Sequence, residues 1–222
     1  MTRFGNHYLY VCGITKTKNM LLHNFIKKYD KDGSIVLLEG KRKVAKDDQP
    51  RLEMLGFVLA TLTTKMTFRS GNAGGSDQLF CKGVAQVDKS RLEVITPYAG
   101  HRKSTNLAHK TYALDDMNLD PDSELIKQSK QHKNTEKLID NYVLGKKNRN
   151  TIKAAYIIRD TVKALGNGDI KPASFGIFYD DLENPMSGGT GHTMNVCKQN
   201  NIPVVNQTHW MSWAEEAFWL DM

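Results

Sequence analysis

Short apolar runs alternate with amphipathic stretches along most of this chain. Ile35, Val36, Leu37 and Leu38 form a continuous apolar run, as a strand buried on both faces requires. Gly40 ends it, and a polar loop leads to Pro50. Leu52, Leu55, Val58, Leu59 and Leu62 then recur at helical spacing. Residues 66–68 predict a second strand, followed by a helix from 76 or 77 to about 86. Residues 92–95 predict a third strand, stopped by Pro97. An amphipathic helix fits 151–165 and ends at Gly166, Asn167 and Gly168. Residues 174–179 and 202–205 predict a fourth and a fifth strand, with a helix at 194–199 between them.

The flanks are less regular. Residues 8–12 suit a short strand. Met20, Leu21, Phe25 and Ile26 suggest a helix within 19–29, and Asp32-Gly33 marks a turn. Residues 1–33 are therefore read as an N-terminal appendage. Residues 98–150 are polar, with one helix expected within 123–144, so a helical insertion is placed near 100–150. Residues 207–222 are read as a Trp-rich C-terminal helix, formed from about 211 to 220, on which Trp210, Trp213 and Ala217 share a face. With Phe218, Trp219 and Leu220, that helix either closes the core or offers an aromatic interface for a homo-oligomer or a base. Between these flanks, 34–206 alternates strand and helix. That pattern predicts an α/β domain: a Rossmann-like, doubly wound, mostly parallel sheet with helices on both faces. Ligands of such sheets bind beyond the carboxyl ends of the strands, where the strand order reverses.

Composition narrows the function classes. The 222 residues are 40% hydrophobic and 25% charged, which fits a globular protein. No apolar run reaches the length of a membrane span and no secretory leader is legible, so a cytoplasmic protein without membrane contact is expected. Cys12, Cys81 and Cys197 form no CxxC pair, and the histidines lack metal-ligand spacing; no metal and no cofactor are expected. The net charge of +7 is scattered through Lys16–Lys18, Lys41–Lys43, Arg102–Lys103 and Lys146–Arg149, which describes a solvated surface better than a nucleic-acid groove.

Two strand-to-helix junctions carry the candidate chemistry. The first runs Arg69-Ser70-Gly71-Asn72-Ala73-Gly74-Gly75-Ser76-Asp77. The second runs Ser187-Gly188-Gly189-Thr190-Gly191-His192-Thr193. Glycine lets backbone approach a ligand, and the following helix offers free N–H groups to an anion. Neither junction is a Walker A loop or a GxGxxG dinucleotide fingerprint, which disfavours a P-loop ATPase and an ordinary dehydrogenase. Arg69 is a candidate phosphate fork. His192 is a candidate phosphate contact or proton carrier, and His101 beside Arg102 is weighed for the same crevice. Asp77 is either a carboxylate for chemistry or a helix cap.

These features, with Gly40 and Arg42 after the first strand and Pro97 after the third, resemble the SLOG superfamily of Rossmann-like domains. That superfamily includes the DprA proteins, the LOG phosphoribohydrolases and nucleotide-sensing domains of antiphage systems. The resemblance covers about 34–206. It implies a phosphate site made of Gly40, Arg42, Arg69, Ser70, Gly71, Asn72, Gly74, Gly75, Asp77, Gly188, Gly189, Thr190, Gly191, His192, Thr193 and Asn195. The LOG motif Pro-Gly-Gly-x-Gly-Thr-x-x-Glu departs here: Ser187 stands for its proline, His192 for its threonine and Asn195 for its glutamate. An amide is no carboxylate base, so the resemblance implies a binder of a nucleotide-derived ligand, as a sensor or a viral decoy. An N-glycosidic hydrolase of nucleoside monophosphates, with Asp77 or Glu183 as the carboxylate, and a DprA-like single-stranded DNA binder are the alternatives.

Overall fold

The computed structural model describes residues 20–131, 134–146, 148, 149 and 151–220, without the side chains of 214, 215 and 217–220. The strand expected at 8–12, Cys12, the basic run 16–18 and the side chains of Ala217, Phe218, Trp219 and Leu220 lie outside the described residues. Six strands form one sheet: β1 (Ile35–Gly40), β2 (Thr67–Ser70), β3 (Leu92–Thr96), β4 (Lys110–Ala113), β5 (Phe175–Tyr179) and β6 (Val204–Asn206). Their order is β4-β3-β2-β1-β5-β6, and every neighbouring pair is parallel. The helices are α1 (Leu22–Tyr29), α2 (Gln49–Leu62), α3 (Ser76–Val87), α4 (Glu124–Lys130), α5 (Glu136–Val143), α6 (Ile152–Leu165), α7 (Gly188–Gln199) and α8 (Gln207–Leu220).

The chain winds from β1 to β4 in one direction, then crosses to β5 and β6 on the other side of β1. Crossovers of fixed hand place helices from opposite winding directions on opposite faces. Side chains alternate along β1 accordingly. Val36 and Leu38 join the core beneath α1, α2, α3 and α8, while Leu37 packs with Ala164 of α6 and Met194 of α7. Burial on both faces explains why β1 reads as an unbroken apolar run.

Five elements differ from the sequence expectation, among them α8, which starts at Gln207 rather than near 211. β4 was absent from it because this edge strand, Lys-Thr-Tyr-Ala, is mostly exposed and has no apolar run to betray it. The single helix expected within 123–144 is two, α4 and α5, packed with α6 around Leu125, Ile126, Ile139 and Ile158. The helix expected in the appendage, α1, contributes fully buried Leu22 and Phe25 to the main core. Finally, α7 starts at Gly188 rather than 194, so the second glycine-rich segment is the helix's opening turn.

Trp210 and Trp213 are buried, and each donates its indole N–H to backbone: Trp210 to Phe178 O at 2.8 Å, Trp213 to Met20 O at 2.8 Å. Phe25 stacks against Trp213 with ring centroids 4.9 Å apart. Indoles sealed in this way close the core, and these two offer no surface to a second copy or a base.

Candidate functional site

The strand order reverses between β1 and β5, and a cleft of about 520 Å³ opens beyond their carboxyl ends. Gly40, Lys41 and Arg42 follow β1 into it, and Asp180 and Asp181 follow β5. Gly188, Gly189 and Thr190 reach it from the start of α7; Lys153, Tyr156, Arg159, Asp160 and Lys163 reach it from α6.

The floor is a buried charge network. The Lys163 ammonium donates to Glu39 Oε2 at 2.6 Å and pairs with Asp160 Oδ1 at 2.8 Å. The Arg159 guanidinium holds Asp160 Oδ1 at 2.7 Å and donates to Gly71 O at 2.8 Å. Burial pushes the Glu39 carboxyl up to about 7; Lys163 opposes the rise, and the Asp77 and Asp160 charges add to it. For Asp160, burial also works upward, but Arg159 and Lys163 outweigh it and hold this carboxyl below its usual range. Glu39 is 3% exposed and Asp180 1%, yet Glu39 Oε1 and Asp180 Oδ1 have no hydrogen-bond partner. Buried acceptors of this kind are rare in native proteins.

The first glycine-rich turn folds onto Asp77. One Asp77 oxygen accepts from Ser70 Oγ at 3.0 Å, Gly71 N at 3.1 Å and Ala73 N at 3.3 Å; the other accepts from Gly40 N at 3.3 Å. Asn72, at φ +52°, donates its side-chain amide to the His101 carbonyl at 3.2 Å. Gly75, at φ +81°, runs so close to Arg42 that a Cβ would lie 2.1 Å from its carbonyl oxygen. Asp77 lines the cleft, whereas Ser70, Gly71, Asn72, Gly74 and Gly75 do not.

In the second segment, a Cβ on Gly189 would lie 2.9 Å from Asp160 Oδ2, so a carboxylate of the chain already stands beside the α7 N-terminus. Gly191 lies against the Met186 carbonyl. The Thr193 hydroxyl donates to Gly189 O at 3.2 Å. His192 is buried, with Nε2 2.9 Å from Thr161 Oγ1. His192 and Asn195 line a separate cleft with Gln128, Gln131 and Gln199.

Arg69 is corrected most clearly. It is 1% exposed, its Nε pairs with Glu93 Oε1 at 2.6 Å, and it donates to Lys163 O at 2.8 Å. It sits within the sheet's packing and does not line the cleft, because a mid-strand arginine buried on its own face must be neutralised there. The cleft's exposed cations are Arg42 and Lys153 instead. Gly40, Arg42, Asp77, Gly188, Gly189 and Thr190 are the expected site residues that meet at the cleft.

The sequence reading missed Glu39, Lys153, Tyr156, Arg159, Asp160, Lys163 and Asp180. Their signals were charges where apolar periodicity calls for none: Glu39 at the end of an apolar strand, Arg159-Asp160 inside an otherwise apolar helix face, and Asp180 just past β5. Tyr156 joins an aromatic cluster at the rim: His101 lies edge-on to Tyr98 at 5.0 Å and to Tyr156 at 5.7 Å. Burial, then the Arg159, Arg102 and Arg42 charges, lowers the His101 pKa, so its ring favours the neutral form.

Cys81 and Cys197 are buried and unpaired. Burial pushes the Cys81 thiol up to about 12, with Asp77 adding to the rise, so it is an inert core group. Among the described residues, no cluster of three or more His, Cys, Asp or Glu is spaced to hold a metal ion, and no helix is long and apolar enough to cross a membrane.

No protein-family model matches the chain, and no curated protein matches it. Among solved structures, the chain is similar to DNA processing protein A from Helicobacter pylori, a protein described as binding single-stranded DNA. The likeness spans 81% of this chain and 67% of that one, at 11% identity and a TM-score of 0.45.

Proposed function

We propose that the cleft between β1 and β5 binds a small phosphorylated nucleotide. One observation carries this reading: the turn after β1, Asp77 of the first glycine-rich turn and the N-terminus of α7, distant in sequence, meet at one cleft of about 520 Å³ at the point where strand order reverses. That volume suits a nucleotide-sized ligand. The phosphate belongs at the rim, where Arg42, Lys153 and the first amides of α7 favour an anion, Lys41 being paired with Asp181 at 3.4 Å. The acidic floor would repel it. Tyr156 stands at the same wall as a surface for a base.

Calorimetric titration with AMP tests the reading. Arg42→Glu and Lys153→Glu should each weaken binding at least about tenfold, as loss of a charge-assisted phosphate contact does. Affinity unchanged in both variants would move the site elsewhere. Salt separates a small ligand from DNA: nucleotide affinity should fall modestly, whereas a single-stranded DNA partner would show a slope of about 0.7 log units per phosphate contact per decade of salt.

Glu39 favours a second reading, hydrolysis of the N-glycosidic bond. A buried cleft carboxyl with a pKa near 7 is poised to protonate a leaving base. Chromatography of AMP, dAMP and CMP after incubation decides it. Little or no free base is expected; robust release, lost in Glu39→Gln, would establish the hydrolase instead.

A further inference from the structure

Glu39 and Asp180 end neighbouring strands. In the β1–β5 register Glu39 stands opposite Phe178, so Asp180 lies one strand across, about 4.8 Å, and two residues further on. Residues two apart in a strand share a face, which sets both carboxyl groups on the α6 and α7 side of the sheet. Each is anchored by one oxygen only. Glu39 Oε2 takes the Lys163 ammonium at 2.6 Å, and Asp180 Oδ2 takes the Met186 N–H at 3.0 Å. The other oxygens, Glu39 Oε1 and Asp180 Oδ1, are buried with no partner, on two residues that line the cleft.

We propose that these two oxygens accept hydrogen bonds from the vicinal 2′- and 3′-hydroxyls of a ribose, so that the cleft selects ribonucleotides over deoxyribonucleotides. The proposal rests on the nucleotide reading above and adds the sugar's chemistry to it. A buried acceptor needs a donor. A phosphate has none at neutral pH and would be repelled by Asp77, Asp160 and Asp180, three buried acids against the two buried bases Arg159 and Lys163, with Glu39 adding to them when ionised. A cationic ligand would compete with those two bases. Neutral hydroxyl donors meet neither objection. A pair of hydroxyls on one ring supplies one donor to each of two acceptors that end adjacent strands. The ribose then lies on the acidic floor while its 5′-phosphate turns outward to Arg42 and Lys153. A site built to bind a hydroxyl rejects the analogue that lacks it, because a buried carboxylate oxygen is left unpaired. The same contact tells a ribose ligand from a deoxyribose one.

Calorimetric titration of the unaltered protein with AMP, 2′-deoxy-AMP and 3′-deoxy-AMP is the test, with ribose 5-phosphate as a base-free probe. AMP should bind at least about tenfold tighter than either deoxy analogue. Glu39→Met and Asp180→Ala remove one acceptor each, and each should narrow to less than about threefold the gap for the one deoxy analogue that lacks its hydroxyl, leaving the other gap in place. Equal affinity for AMP and both deoxy analogues would overturn the proposal while leaving the nucleotide reading in place; water would then serve the two oxygens. A gap that persists in both folded variants would overturn the assignment to these side chains. No binding of any of the four probes would overturn both readings together.

Discussion

At 70–77 the amides of Gly71 and Ala73 turn inward onto the Asp77 carboxylate, whereas at 187–191 the chain passes from extended Ser187 straight into the first turn of α7. The first turn is closed: a carboxylate of the chain fills the place a ligand anion would take. The second presents the opening of a helix to the cleft, with Asp160 to one side. Both are rich in glycine and hydroxyls, and in each one glycine, Gly75 or Gly191, serves close backbone packing. What separates a structural turn from a binding turn is which acceptor reaches the amides first.

The sharpest test of that contrast is Asp77→Ala. It strands the donors of Ser70, Gly71 and Ala73 in a buried turn, so stability should fall by about 3–5 kcal/mol in urea unfolding. A loss below about 1 kcal/mol would mean that the first turn does not depend on its carboxylate and is as open to ligands as the second.

Glu39 gives the next largest effect. Its folded pKa of about 7 lies above its ordinary 4.5, so the folded state binds the proton more tightly. The associated stability is fully present below pH 4.5 and is lost as pH rises through 7, by about 3 kcal/mol. Unfolding measured from pH 4.5 to pH 8 should show this decline, and Glu39→Gln should flatten it. An unchanged slope in the variant would assign the decline to another group.

Gly189→Val follows. Its side chain would press on the Asp160 carboxylate, costing about 1–3 kcal/mol in stability as overpacking does. Binding lost in this variant would therefore report a disturbed charge network as much as a blocked amide. Thermal unfolding checks it: a variant as stable as the parent would show that the α7 N-terminus has room to spare. The rim variants Arg42→Glu and Lys153→Glu should move stability least, within about 0.5 kcal/mol, which makes them the cleaner probes of binding.

Much of the architecture is legible in the sequence. The apolar run at 35–38, the spacing of Leu52, Leu55, Val58 and Leu59, and the Gly166 stop identify strands and helices that the fold contains. Alternation of these elements implies the parallel sheet, and the parallel sheet implies a site at its carboxyl edge. Six of the expected site residues do line that edge. Arg69 reads as a ligand cation because its position past an apolar pair says nothing of Glu93 on the next strand, and His192 reads as a loop residue because its helix begins earlier than its glycines suggest.

Periodicity and turn chemistry act over a few neighbouring residues, so most strands and helices and the open edge of the sheet are legible in the sequence, while β4, the split of α4 from α5 and the start of α7 are not. Which charges face the cleft depends on contacts between distant parts of the chain. Glu39 meets Lys163, Arg159 meets Gly71 and Asp180 lies beside β1 through pairings across the sheet and its covering helix. A buried charge is tolerated only by partners brought from elsewhere in the chain, and nothing in its local sequence names them.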